Sequence, residues 1–144
     1  MSDLTKSLKT LMGDVVTFYF MAHGAHWNVE GPDFSQYHAL FEEIYSDVYG
    51  SIDPIAENIR KLDEYAPFNL KNFIDDRTLE FKAMNPEPKA MAKALLSAND
   101  KVITTIDTAF KAATDANEQG IANFLADRVD QHKKWRWMLK ASVA

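Results

Sequence analysis

Apolar side chains recur at spacings of three and four along most of the chain, the period of one helix face. The first stripe, Leu4, Leu8, Leu11, Val15, Phe18, Ala22 and His26, predicts a helix from about Asp3 to Val29. "EGPD" breaks it. Asp33 then stands as an N-cap with Gln36 three residues later, as in a capping box, and a second helix starts there. Tyr37, Phe41, Ile44, Val48, Ile52, Ile55, Ile59 and Leu62 form its core stripe. Gly50 and Pro54 interrupt that stripe, yet the apolar period runs on through them, which favours one kinked helix. The rival reading is two helices, with Asp53 as N-cap and Pro54 as the first helical residue.

"EYAPFNLKNFIDDRT" is a connector with one short helix near Asn69 to Asp75, and "MNPEP" punctuates again. A third long helix is predicted over about Glu87 to Thr114, with Met91, Leu95, Val102, Ile106 and Phe110 facing inward. "TDANEQG" is a polar turn region. The fourth runs from about Ala116 to Ala141, with Ile121, Leu125, Val129, Trp135 and Leu139 on its inner face. There is no internal repeat. Four long helices with one longer mid-chain connection predict an all-α fold, a four-helix bundle with a crossover, formed as one domain over residues 1–144.

Composition narrows the function. A chain of 144 residues can bury a substantial core. The net charge of −5 argues against strong, indiscriminate nucleic-acid binding. The start "MSDLTKSLKT" lacks the basic region and apolar core of a signal peptide, and "VVTFYFMA" is too short to span a membrane. The chain has no cysteine, which fits a cytoplasmic location and leaves any metal to His, carboxylate or carbonyl ligands.

Such ligands are present on the second helix, where His38, Glu42, Tyr45, Tyr49, Asp53 and Glu57 form a second stripe beside the core stripe. Relative to His38, Glu42 is turned by about 40° and Asp53 by about 60°. Asp53 and Glu57 are four residues apart, so their carboxylates can share a cation. His26 and His38 flank the Gly-Pro turn at similar heights on the two arms of a helical hairpin. These two pairs cannot meet within one chain, since His38 and Asp53 lie roughly 22 Å apart along one helix and metal–ligand bonds are only about 2 Å long. A two-fold dimer that lays this helix antiparallel to its copy would bring His26 and His38 of one chain to Asp53 and Glu57 of the other, twice per dimer. Mixed His and carboxylate ligands with open positions suit iron, and also zinc or manganese. The plainer alternatives are a core His26 bonded to a carbonyl and a solvated Asp53/Glu57 face.

"HWNVEGPDFSQYHALFEE…SIDPIAENI" resembles the signature of the Dps family, the small ferritin-like proteins that protect DNA in starved bacteria. That pattern is His-Trp-x-Val-x-Gly-Pro, a His twelve residues after the first, then Asp-x-x-x-Glu. The closing "WRWMLKA" also resembles the family's last helix. The resemblance implies a ferritin-like bundle, a hollow dodecamer built from two-fold dimers, and ferroxidase centres between subunits. It further implies that Asp53 and Glu57 hold iron with His26 of the partner subunit. His38 completes or hydrogen-bonds the second iron position, and Glu42 supports it. Trp27 would sit beside the centre, either taking up a stray oxidising equivalent or packing the hairpin. His23 is not part of the pattern and is expected to be an ordinary surface or interface residue.

Classical ferritins use Glu-x-x-His, and no Glu in this chain has a His three residues later, which favours the intersubunit centre. The expected activity is oxidation of Fe(II), preferentially by hydrogen peroxide rather than dioxygen, with storage of ferric mineral. Asp115, Glu118 and Asp127 are candidates to line an entry pore. DNA contact is expected to be weak or absent: only Lys6 and Lys9 lie near the start, and "HKKWRW" reads as a surface face with core Trp anchors. The rival is a DNA-coating or structural cage with little ferroxidase activity.

Overall fold

The computed structural model describes residues 1–144 and contains five helices: α1 Asp3–Asn28, α2 Phe34–Lys61, α3 Leu70–Asp76, α4 Pro88–Asp115 and α5 Gln119–Ser142. The apolar stripes converge on one core, in which Leu8, Leu11, Phe18, Phe41, Ile44, Leu95, Ile106, Leu125 and Leu139 are almost fully buried. Two expected core positions depart from this. Phe110 is exposed near the end of α4, and Trp137 is exposed on α5, so Trp135 alone of the "HKKWRW" tryptophans anchors the core.

Connectivity follows from the contacts at the bundle ends. The Glu30 amide at the end of α1 donates to the Pro86 carbonyl just before α4, at 3.1 Å. The Tyr37 hydroxyl at the start of α2 donates to the Ser142 carbonyl at the end of α5, at 2.7 Å. Helices α2 and α4 therefore start at the same end of the bundle. The 28 residues of α2 carry the chain roughly 42 Å away, and residues 62–87 must run all the way back. Midway, α3 crosses α1 at Gly13, where a Cβ would stand 2.6 Å from the Phe73 carbonyl oxygen. Only glycine permits that approach. The adjacent Asp14, wholly buried, then clamps the returning connection. Its carboxylate accepts from the Thr78 amide (2.7 Å), the Thr78 hydroxyl (2.6 Å), the Leu79 amide (2.7 Å) and the Thr105 hydroxyl of α4 (2.7 Å). Four donors on one carboxylate offset the cost of burying its charge.

Local structure corrects the sequence reading at two helix starts. Asp33 does not cap α2 with its side chain. It sits at φ 62°, ψ 26°, in the left-handed region, with no side-chain cap bond. The steep entry after Gly31 and Pro32 imposes that conformation, which Asp tolerates. From there its carbonyl, rather than its carboxylate, takes the amides of Gln36 and Tyr37. The last helix starts at Gln119 rather than Ala116 because residues 116–118 close α4. Left-handed Asn117 donates to the Thr114 carbonyl and Glu118 to that of Ala113, a Schellman turn. At Pro54 the single-helix reading holds, since α2 runs unbroken through it. Gly50, whose carbonyl loses its helical partner to Pro54, is exposed to solvent.

Candidate metal centre

The α1–α2 hairpin holds His26 and His38 by reciprocal bonds. His26 Nδ1 lies 2.8 Å from the His38 carbonyl oxygen, and His38 Nδ1 lies 2.7 Å from that of His26. A carbonyl can only accept, so both Nδ1 atoms carry the proton. In the neutral rings both Nε2 atoms therefore keep a free lone pair. This is the arrangement in which a backbone carbonyl fixes the tautomer and orientation of a ligating imidazole. The rings stack at 3.7 Å with their planes 16° apart, and Phe34 stacks on the outer face of His38 at 5.0 Å. Glu42, one turn after His38, brings Oε1 to 3.8 Å from His26 Nε2. That is too long for a hydrogen bond, so Nε2 of His26 stays open beside a carboxylate. His26 is thus both a buried residue bonded to a carbonyl and a ring with a free ligating nitrogen.

Asp53 and Glu57 lie exposed on the same helix, farther along. Asp53 raises the Glu57 carboxyl above its ordinary value, through a shared hydrogen bond and through like charge. A bound cation would relieve that repulsion. Within one chain no three of the His, Asp and Glu side chains cluster closely enough to hold a metal ion. The chain therefore carries two partial donor sets, His26, His38 and Glu42 at one end of α2 and Asp53 with Glu57 near the other. Asp115, Glu118 and Asp127 are all exposed.

The sequence reading missed the role of His23. It lies in an aromatic stack, with Tyr45 of α2 parallel to one face at 3.8 Å and Trp27 against it at 3.9 Å. The Tyr19 hydroxyl is 2.7 Å from His23 Nδ1. The signal was present as Tyr19, His23 and Trp27 at successive spacings of four. Burial, with His26 nearby, lowers the His23 imidazole, and burial, with Tyr49 and Tyr45, raises the Tyr19 hydroxyl. In the Nε2–H tautomer of His23 the hydroxyl donates and Nδ1 accepts. Trp27 itself is 62% exposed and leans on His23 instead of filling the hairpin.

His132, the fourth histidine, is in the core with no exposure. Its Nδ1 bonds the Asn99 Oδ1 at 2.7 Å, and Arg128 donates to its Nε2 at 3.1 Å. Arg128 also grips Asp47 with two bonds of 2.8 and 2.9 Å, and Trp135 Nε1 donates to the same carboxylate at 2.8 Å. Burial and the Arg128 charge push the His132 imidazole down to about 3.

A family model of the ferritin-like domain matches residues 5–144. The chain is 31% identical over 120 residues to a low temperature-induced protein of Nostoc sp., covering 82% of this chain and 67% of that one. It is 27% identical over 138 residues to the DNA protection during starvation protein of Helicobacter pylori, covering 95% and 96% of the two chains. The solved Dps of Thermosynechococcus elongatus superposes with a TM-score of 0.93 at 28% identity, covering 98% of this chain and 90% of that one.

Proposed function

Because the chain belongs to the ferritin-like family, and within it to the Dps proteins, we propose that it stores iron and protects against oxidative damage through ferroxidase centres shared between two-fold-related subunits. Residues 1–144 act as one ferritin-like unit. The observation that carries this is the hairpin pair: His26 and His38 each lock Nδ1 on the other's carbonyl and leave Nε2 free, while within one chain no three His, Asp or Glu side chains gather to hold a metal ion. Asp53 and Glu57 of the partner subunit complete each centre. His26 and the two carboxylates bind the first ferrous ion, His38 completes or orients the second position, and Glu42 supports it. Zinc or manganese can take the same ligands.

Ferrous iron is the substrate. Two ferrous ions supply two electrons together, the number that converts one hydrogen peroxide and two protons to two waters. Dioxygen needs four electrons to reach water, so a pair of ions matches peroxide better and releases little hydroxyl radical. Ferric product then collects as mineral inside a closed shell, with Asp115, Glu118 and Asp127 as entry candidates.

Pairing has support in surface chemistry. Phe20, Trp27, Leu70, Ile74 and Phe81 stand exposed around a groove between α1 and α3, beside the hairpin. A contiguous apolar patch of this kind marks an interaction surface. Closure of such dimers into a twelve-chain shell predicts a particle of twelve times the chain mass. No helix is long and apolar enough to cross a membrane. The net charge of −5 supports weak or absent DNA binding.

The test is ferrous binding and peroxide-dependent oxidation by the assembled protein, with Asp53→Ala and Glu57→Ala beside it. Loss of oxidation in both variants with the shell intact supports the centre. Unchanged initial rates in both variants would make Asp53 and Glu57 a solvated face, and no iron-dependent peroxide consumption by the wild type would leave a structural cage.

A further inference from the structure

Of the five prolines only Pro54 lies inside a helix beyond its first turn, and it follows Asp53 directly. Pro88 stands at the start of α4, where a missing N–H costs nothing. At position 54 the missing N–H leaves the Gly50 carbonyl without its helical partner, and the ring crowds that carbonyl. Glycine and proline are the two least favourable residues in a helix interior. Neither packing nor backbone angle requires the glycine: a Cβ added there would meet nothing within 4 Å, and its φ is not left-handed. What the pair achieves is an open carbonyl. At about 100° per residue, Glu57 is turned by about 20° from Gly50 and Asp53 by about 60°, so the three share one face of α2. All three are exposed. Helix side chains lean toward the N-terminus, whereas backbone carbonyls point toward the C-terminus. Asp53 and Glu57 therefore reach back toward the turn into which the Gly50 carbonyl reaches forward. The two carboxylates share a hydrogen bond, so a cation held between them lies within about one turn of a free backbone oxygen.

We propose, resting on the shared-centre reading above, that Gly50 and Pro54 are positioning residues of that centre. By removing one helical hydrogen bond they leave the Gly50 carbonyl as a third oxygen beside the Asp53 and Glu57 carboxylates, where it accepts a hydrogen bond from water carried by the bound divalent cation. A carbonyl can only accept, so it turns a proton of such a water toward the helix and leaves the water's lone pair on the cation. Both carboxylates are exposed and swing with their side chains; a backbone oxygen of α2 does not. Partners of this outer kind orient the groups on a metal and strengthen its binding. The loss in helix stability falls beside the one carboxylate pair that needs a fixed neighbour. A locally unfavourable sequence is expected where it serves a site.

The experiment uses zinc, which takes the same ligands without being oxidised. Zinc binding to the assembled protein is measured by calorimetry, with Asp53→Ala marking the part that belongs to the centre. In parallel the glycines are isotope-labelled at the carbonyl carbon and infrared spectra are recorded with and without zinc. The labelled band missing from Gly50→Ala is that of Gly50. In the wild type this band is expected to move to lower wavenumber when zinc is added. Pro54→Ala restores the N–H that ties the Gly50 carbonyl into the helix. Its urea midpoint is expected to rise while its Asp53-dependent zinc affinity falls roughly 10-fold, with the Gly50 band unmoved by zinc. A merely structural proline would not weaken zinc binding as the fold grows more stable. Gly120→Ala, at an equally open helical position, is expected to match the wild-type zinc affinity. An unmoved Gly50 band in the wild type, or undiminished zinc affinity in Pro54→Ala, overturns the role of the carbonyl alone. No Asp53-dependent zinc binding by the wild type overturns the shared centre and this role with it.

Discussion

Arg128 donates to Nε2 of His132 and the Asn99 Oδ1 accepts from its Nδ1–H, whereas at His26 and His38 only Nδ1 is committed, each to a backbone carbonyl. Both regions place histidine beside carboxylates in one bundle, and they are built for opposite ends. Around His132 every polar group is closed. Burial by itself would raise the Asp47 carboxyl, but hydrogen bonds from Arg128 and Trp135 and the Arg128 charge outweigh it and hold that carboxyl below its ordinary value. Across the chain no buried side-chain polar atom lacks a partner. At the hairpin one nitrogen of each ring is pinned and the other is open. At the exposed Asp53–Glu57 pair a shared hydrogen bond, and then like charge, raise the Glu57 carboxyl above its ordinary value. His132 has no nitrogen left for a ligand, whereas His26 and His38 each keep Nε2 open.

The largest effect expected from breaking this contrast is on the closed side. Asp47→Ala leaves the Arg128 guanidinium, whose side chain is 12% exposed, without its bidentate partner. Loss of one member of such a pair costs about 3 kcal/mol, read as a drop in unfolding free energy by urea titration, while iron oxidation per folded subunit stays at the wild-type level. On the open side, Asp53→Ala or Glu57→Ala should slow iron oxidation by at least the roughly 10–100-fold that loss of an outer-shell partner alone costs a metal site, with the urea midpoint unchanged because these side chains are solvated.

The third effect is graded and depends on pH. His132 is at about 3 in the folded chain against an ordinary 6.5. The unfolded chain therefore takes up the proton more readily, and the stability contributed by neutral His132 is complete above pH 6.5. It declines as the pH falls from there toward 3, by at most about 1.4 kcal/mol per unit. Asp47, lowered in the folded chain, adds a further loss only below its own ordinary carboxylate range. Unfolding free energy measured at a series of pH values should show this slope, and His132→Gln should flatten it between 6.5 and 4. An unflattened slope would place the acid sensitivity elsewhere.

How far each region could be read in advance depends on the range of its contacts. The helices were legible because the apolar period is local, and so was the incompatibility of His38 with Asp53, which is a matter of rise per residue. Asp33 misled because a capping-box pattern says nothing of the backbone angle that Gly31 and Pro32 impose. The tautomer lock on His26 and His38 needs a carbonyl twelve residues away, visible only once the hairpin closes. The Asp14 clamp reaches Thr78 and Thr105, 64 and 91 positions along. The His132 network reaches Asn99 and, through Arg128 and Trp135, Asp47. "HKKWRW" could therefore be seen as basic and aromatic, but not as the lid of a buried polar network.

The shared centre is tested most directly by mixing two defects. His26→Ala and Asp53→Ala each damage both centres of a homodimer. In a mixed dimer one centre takes both lesions, because it draws its histidine from the first chain and its aspartate from the second. The other centre draws an intact histidine and an intact aspartate and is wholly wild type. The two variants are unfolded, refolded together and checked by native mass spectrometry, and iron oxidation is then measured. Two inactive parents should yield active hybrids with about half the wild-type number of centres per mixed dimer. Confirmed mixed dimers without recovered oxidation would contradict a centre shared between subunits.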